Sequence, residues 1–272
     1  MKKGLFLLIF LLLFPVSCFS ELSVHFIDVG EGDSILVLCD GASLLVDAGP
    51  QEAGVTVNRY IHDSLGLSGL DYVLATHEHD DHLAGMPGAL SGLTVGKIFT
   101  SPFVSMTYWL KSILPVLRQG NLELAQPVHL DSFPLGSAIV TFIIPDVNSD
   151  NPNNHSIVLR IDDGATSVLL AADIEGEAEI ALLEQEINLK TDLLKVAHHG
   201  GDTSTCEAFL KAVDPQFAII SVGAGNKHGH PHAGPLNNLK NRNITVYRTD
   251  LFGTIIARSN GESWSFEVSK AR

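Results

Sequence analysis

Residues 77–82 read His-Glu-His-Asp-Asp-His and directly follow the run Tyr72-Val73-Leu74-Ala75-Thr76. A short apolar run bounded by polar residues predicts a strand. The histidines therefore stand where a strand ends and the small-residue segment Leu83-Ala84-Gly85 begins. Neutral imidazoles and a carboxylate are the usual ligands of zinc and similar divalent ions, and His77, His79, Asp81 and His82 can be turned by one loop toward one point. Two ions need more ligands than this loop supplies. The fold must therefore bring other strand ends to the same place.

The rest of the chain offers them. Expected strands cover 24–28, 34–38, 43–47, 70–76, 97–100, 128–130, 138–144, 156–162, 167–171, 193–197, 217–222, 245–248, 254–258 and 263–268. Expected helices cover 55–64, 82–90 (weakened by Pro87 and Gly88), 108–119 (interrupted near Pro115), 175–186, 235–241, and a helix running to Val213 with Ser204 as its N-cap. Strands first, then strand–helix units twice over, predict an α+β sandwich of two sheets with helices outside.

The His-x-His-x-Asp-His run resembles the signature of the metallo-β-lactamase superfamily. Several further segments are similar to the hydrolase domain of ComEC-type DNA-uptake proteins. They are residues 25–34 (His-Phe-Ile-Asp-Val-Gly-Glu-Gly-Asp-Ser), 45–49 (Leu-Val-Asp-Ala-Gly), 195–200 (Lys-Val-Ala-His-His-Gly) and 229–232 (Gly-His-Pro-His). The similarity runs from Leu22 to about Gly261. It implies a four-layer αββα sandwich with the site at one edge, two divalent ions (zinc, with manganese as the alternative) and a bridging hydroxide that attacks the scissile bond.

Under that resemblance the metal ligands are His77, His79, Asp81, His82, Asp173 and His199, with Asp173 bridging both ions although Ala172 replaces the glycine usual before it. Asp81 also orients or deprotonates the nucleophile. In an extended strand successive side chains point to opposite faces, so one of His198 and His199 enters the metal shell and the other serves catalysis. His199 is taken as the ligand and His198 as the catalytic residue, with the reverse left open. His230, on the late loop, is the other candidate to protonate the leaving group. Asp47 either braces the metal loop or is an ordinary turn aspartate, and Asp28 and Asp33 can face the cleft.

Two further departures from the family pattern matter, and one motif beside them. Asn153-Asn154 with Ser156 stands where many members place a metal-binding histidine, which weakens the His77/His79 site unless His155 substitutes. Glu31 replaces a usual glutamine and adds negative charge beside the cleft. His228, His230 and His232 alternate without a carboxylate, which argues against a third metal site.

Residues 1–20 are expected to be a signal peptide: Lys2 and Lys3 precede an apolar core, 5–14, shorter than the roughly twenty residues of a membrane span. A lipoprotein cut before Cys18 and an uncleaved anchor are the rivals. The expected product is one hydrolase domain, 21–272, exported to the periplasm or the exterior, with no later membrane span. Cys39 and Cys206 are expected to be buried free thiols.

The formal charge of −14 opposes a broad duplex-DNA surface, which needs clustered Lys and Arg to displace counterions. A small anionic or phosphodiester substrate suits it better. The expected function is thus an exported metal-dependent phosphodiesterase. Its rivals are an amide or ester hydrolase of the β-lactamase type and a non-catalytic, metal-stabilised binding protein.

Overall fold

The computed structural model describes residues 21–118 and 122–270. The expected signal segment, 1–20, lies outside them, and no described helix is long and apolar enough to cross a membrane.

The first sheet opens with β1 (Leu22–Phe26), β2 (Ile35–Cys39) and β3 (Ala42–Val46), antiparallel neighbours of which β2 and β3 are joined by the tight Asp40-Gly41 turn. It continues through β4 (Gly69–Ala75), β5 (Thr94–Thr100) and β6 (Glu123–Ala125), which run parallel to β3. The second sheet begins with the antiparallel strands β7 (Ser132–Leu135), β8 (Ala138–Ile143), β9 (Val158–Asp163) and β10 (Thr166–Leu170). It then turns parallel with β11 (Leu193–Lys195), β12 (Phe217–Ile220) and β13 (Thr245–Arg248). The last strands, β14 (Ile255–Ser259) and β15 (Trp264–Val268), return to the first sheet beside β1.

Side-chain alternation explains the layering. Ile35, Val37 and Cys39 of β2 and Leu44 and Val46 of β3 join Phe142, Leu159 and Val168 in an apolar layer between the sheets. Leu36 and Leu45, one residue out of phase, pack under Val57, Ile61, Leu83 and Met86 of the outer helical segments. Leu169, Leu194 and Ala218 of the second sheet meet Leu182, Phe209 and Leu239 in the same way. Strands buried on both faces in this manner need helices outside, and the result is the expected four-layer αββα sandwich.

Several local expectations need correction. Residues 128–130 form no strand: Leu130 turns back at φ +65° and Asp131 N–H donates to the Val128 carbonyl, while the edge strand is β7, just after. The 82–90 segment splits into Asp80–Leu83 and Met86–Ala89. The 108–119 segment starts at Met106 and passes through a wider, π-helical turn, Trp109–Ile113; Gln119 itself lies outside the described residues. Cys206, not Ser204, caps the helix Glu207–Val213, because the Ser204 hydroxyl is committed to the carbonyls of Ala197 and Gly201. Cys39 and Cys206 are free, but only Cys39 is fully buried.

The candidate ligands all follow strand C-termini at one edge. Asp47 follows β3, His77–His82 follow β4, Asp173 follows β10 and His198–His199 follow β11. A backbone hydrogen bond from Ile157 N–H to the Thr76 carbonyl (3.1 Å) ties the two sheets together there.

Candidate metal centre

Asp47 organises the loop from inside. It is buried, and its Oδ1 accepts from Thr76 N–H (2.9 Å) while Oδ2 accepts from the Thr76 hydroxyl and faces His82 Nδ1, both at 2.7 Å. The choice between brace and turn aspartate is settled by these contacts: Asp47 grips both ends of the loop. With Nδ1 engaged, His82 presents Nε2 to the cleft, the usual way a partner fixes which imidazole nitrogen faces a metal.

Gly32 lets a second turn close against this loop. Its φ is +112°, and a side chain there would collide with the Asp81 carbonyl. The Asp33 N–H then donates to that same carbonyl (3.2 Å). Asp28, by contrast, turns away from the cleft to Lys270, 2.8 Å from its Nζ, which corrects the expectation for that residue.

Asp81, His82, Asp173 and His199 converge, with one potential ligand atom from each lying within 4.8 Å of the others. Asp173 Oδ2 stands 3.2 Å from both His82 Nε2 and His199 Nε2, yet neither nitrogen is in hydrogen-bonding geometry, and both are buried without a partner. Buried polar atoms are normally satisfied. Two orphaned imidazole nitrogens aimed at one carboxylate oxygen, with Asp81 Oδ2 3.5 Å from His199 Nε2, fit a divalent cation in donor type and number.

The electrostatics match. Burial alone would lower both imidazoles. Instead Asp173, then Asp47, raise His82 well above its ordinary value, and Asp173 with Asp81 and Asp33 raises His199 to about 10. Burial opposes ionisation of Asp173 and Asp81, but His199 and His82 overcome it and hold both carboxyls well below the usual range. Without an ion, protons on the imidazoles serve as the counter-charge.

His77 and His79 form a neighbouring pair, His77 Nε2 lying 3.2 Å from His79 Nδ1. His77 Nδ1 is 3.1 Å from the Thr76 hydroxyl, and burial followed by repulsion from His82 pushes its pKa well down. Among the described residues no third histidine completes this pair. His155 lines the same small cavity as His77, but its Nε2 is 2.7 Å from the Ser149 carbonyl and its ring stacks on Phe103. Asn153 Nδ2 donates to Glu175 Oε1 (2.6 Å), leaving its Oδ1 buried and unpartnered.

His198 and His199 do diverge, although not by strand alternation. β11 ends at Lys195, and both histidines adopt left-handed conformations at φ +48° and +53°. His199 is buried, its Nδ1 2.9 Å from the Ser221 carbonyl, and its Nε2 faces Asp173. His198 is half-buried, its Nδ1 3.2 Å from the Thr203 hydroxyl and 3.6 Å from Glu175. His230 packs edge-on against His198, ring centroids 5.3 Å apart. Burial, then repulsion from His199 and His198, lowers the His230 pKa to about 4. Burial also lowers the His198 pKa, although Asp173 and Glu175 oppose it, so both outer histidines favour the neutral form.

Lys195 was missed in the sequence. Its ammonium is fully buried, donating to the Ala172 carbonyl (2.7 Å) and lying against Asp33 Oδ2 and, at 3.4 Å, Asp173 Oδ1. A lone cation inside the apolar stretch Leu193-Leu194-Lys195-Val196-Ala197 was the signal for it. Ala172 explains why glycine is common before the aspartate: its φ is +47°, a conformation that costs an L-residue about 1–2 kcal/mol.

Asp81 brings the centre to the wall of a cleft of about 1260 Å³, which Gly30, Glu31, Asp80, Lys111 and Lys227 also line. His228, also on its wall, lies 2.9 Å from Glu31.

No family model matches the chain. Among curated proteins, it is 30% identical to ComE operon protein 3 of Bacillus subtilis over 97% of its own length and 37% of that protein's. It is 29% identical to recombination protein 2 of Haemophilus influenzae over 97% of its own length and 32% of the other. The chain thus spans about a third of the length of the curated relatives it matches. Among solved structures, the metallo-β-lactamase fold protein YhfI from Bacillus subtilis aligns with a TM-score of 0.54 at 17% identity, covering 88% of this chain and 100% of YhfI. Zinc-bound PqqB from Methylobacterium extorquens aligns with a TM-score of 0.53 at 13% identity, covering 82% and 97%.

Proposed function

We propose that this chain, which has the metallo-β-lactamase fold and is similar along its length to one part of ComEC-type proteins, is a metal-dependent hydrolase of phosphodiester bonds in small or single-stranded substrates. The observation that carries the metal-dependent reading is the pair of orphaned imidazole nitrogens on His82 and His199 facing Asp173 Oδ2. A divalent ion held by such a group polarises the bond under attack and makes water nucleophilic at neutral pH.

The chain's own residues divide the remaining work. His82, His199 and Asp173 would hold the first ion with Asp81, and His77 and His79 would hold a second, weaker one with Asp173. Asp81 is the partly exposed member of the group and, kept ionised, accepts a hydrogen bond from the attacking water and orients it. His198, beside Glu175, donates a neutral imidazole N–H to a substrate oxygen, and His230 supports it from behind. Lys111 and Lys227 line the cleft without ion-pair partners among the described residues, which supports an anionic ligand.

Phosphodiester specificity rests on the similarity to ComEC-type proteins and on those two lysines. The formal charge of −14 disfavours duplex DNA, whose binding depends on displacing counterions with basic residues. Export of the chain after removal of residues 1–20 remains part of this reading.

The test is a substrate panel with zinc or manganese added to the metal-stripped protein: bis-p-nitrophenyl phosphate, single-stranded DNA, cyclic dinucleotides and a chromogenic cephalosporin. The expected result is metal-dependent cleavage of a phosphodiester and none of the cephalosporin. Cleavage of the cephalosporin alone would move the assignment to amide hydrolysis. Metal binding without turnover on any of the four would favour a binding protein.

A further inference from the structure

The buried ammonium of Lys195 has no place in the chemistry above, yet its position is costly. Removing a charge from water costs several kcal/mol unless it is closely paired, and the neighbouring β11 positions are filled by leucines that bear no such cost. Lys195 offers three donors, and three oxygens surround it: the Ala172 carbonyl, Asp33 Oδ2 and Asp173 Oδ1. The two carboxylates come from different sheets. Asp33 belongs to the turn between β1 and β2, and Asp173 follows β10.

The two oxygens of Asp173 consequently meet different surroundings. Oδ1 faces the ammonium, and Oδ2 faces the orphaned nitrogens of His82 and His199. The last torsion of an aspartate side chain is broad, so nothing intrinsic to Asp173 fixes the plane of its carboxylate. Asp33 is affected as well. Together with Asp47 and His82 it forms a second group with ligand-like spacing, but its Oδ2 is committed to Lys195.

We propose that Lys195 is a positioning residue of the metal centre: it pins the Asp173 carboxylate so that Oδ2 faces His82 and His199, and it holds Asp33 Oδ2 away from any ion bound there. This rests on the metal-centre reading above. Lys195 touches neither substrate nor ion and acts wholly through the two aspartates.

The experiment compares wild type, Asp33→Asn and the double variant Lys195→Met/Asp33→Asn. Methionine approximates the lysine stem, and removing one cation with one anion leaves the local net charge unchanged. Zinc affinity is read by competition with a chelator, and coordination by the visible spectrum of the cobalt(II)-loaded protein. Asp33→Asn, which keeps Lys195 on Asp173, should stay within about threefold of wild type with the same spectrum. The double variant should lose roughly ten- to a hundredfold in affinity, the range for residues that orient ligands, with an altered spectrum. Wild-type affinity and spectrum in the double variant would overturn the proposal, as would an equal loss in Asp33→Asn. A double variant that fails to fold while Asp33→Asn folds would overturn it in favour of a purely structural ammonium. A wild-type protein that binds neither metal would remove the metal centre itself, and this inference with it.

Discussion

Asp47 Oδ2 and His82 Nδ1 meet at 2.7 Å with both side chains shut off from solvent. The same carboxylate accepts both the N–H and the hydroxyl of Thr76, so one buried charge fixes the entry of the metal loop and the orientation of its last histidine. Asp47→Ala leaves three buried polar groups without their acceptor. Breaking a buried charge pair costs about 3–5 kcal/mol, and losing a ligand-orienting partner costs about 10–100-fold in metal affinity. The expected outcome is a lowered melting temperature together with weakened zinc binding. Unchanged affinity in a folded variant would mean that His82 is oriented by packing alone.

The two groups of histidines should bind metal unequally. Asp81, His82, Asp173 and His199 supply four converging ligand atoms, whereas among the described residues His77 and His79 contact each other and join no such group. Titration of the stripped protein should show one tight and one weaker equivalent. His79→Ala should remove the weaker one and spare the tighter, and His82→Ala should do the reverse. Equilibrium dialysis with elemental analysis decides the matter, and loss of both equivalents in His79→Ala would show the pair to be the primary site.

Much of this arrangement was legible because its chemistry is local. His77–His82 carries four candidate ligands on one loop, and the alternation through Leu44-Leu45-Val46 or Val168-Leu169-Leu170 announces strands covered on both faces. What stayed hidden depends on tertiary context. The left-handed turn at His198–His199 is imposed by contacts such as His198 N–H with the Ala172 carbonyl, 3.1 Å away, and no propensity foretells it. Ser204 is a good N-cap by type, but its hydroxyl had nearer acceptors in the preceding turn. Val128 and Leu130 looked like a strand because they are apolar; both are exposed in a turn. Lys195 stood in the 195–200 motif without a role, because its partners Asp33 and Asp173 meet it only when both sheets close.

Stability and metal affinity should respond to pH in opposite directions. In the metal-free protein the His199 pKa is raised from 6.5 to about 10. A group whose pKa rises on folding stabilises fully below its unfolded value and loses that contribution as pH climbs through the folded one. The metal-free protein should therefore lose on the order of a few kcal/mol between pH 6.5 and about 10. Metal must displace the proton on His199, and that on His82, so affinity should increase roughly tenfold per pH unit for each proton released. Melting curves with and without zinc across this window test both statements. A metal-free protein whose stability is flat from pH 6.5 upward would show that His199 and His82 are both neutral, and zinc uptake in weakly buffered solution would then release no proton.

His198 and His199 should separate binding from turnover. His199 faces Asp173 from a buried position, and His198 stands half-exposed beside Glu175. His199→Ala should lose the tight metal equivalent and activity together. His198→Ala should keep its metal and lose turnover by roughly ten- to ten-thousandfold, depending on how much the leaving group needs a hydrogen-bond donor or proton. A p-nitrophenyl leaving group needs little help, so the deficit should shrink on bis-p-nitrophenyl phosphate relative to an unactivated phosphodiester. An equal deficit on both substrates would assign His198 to substrate positioning, since binding geometry matters to either leaving group. If His198→Ala loses metal as fully as His199→Ala, both residues are ligands, and the donor must come from the late loop, where His230 is the nearest ring to His198 at 5.3 Å.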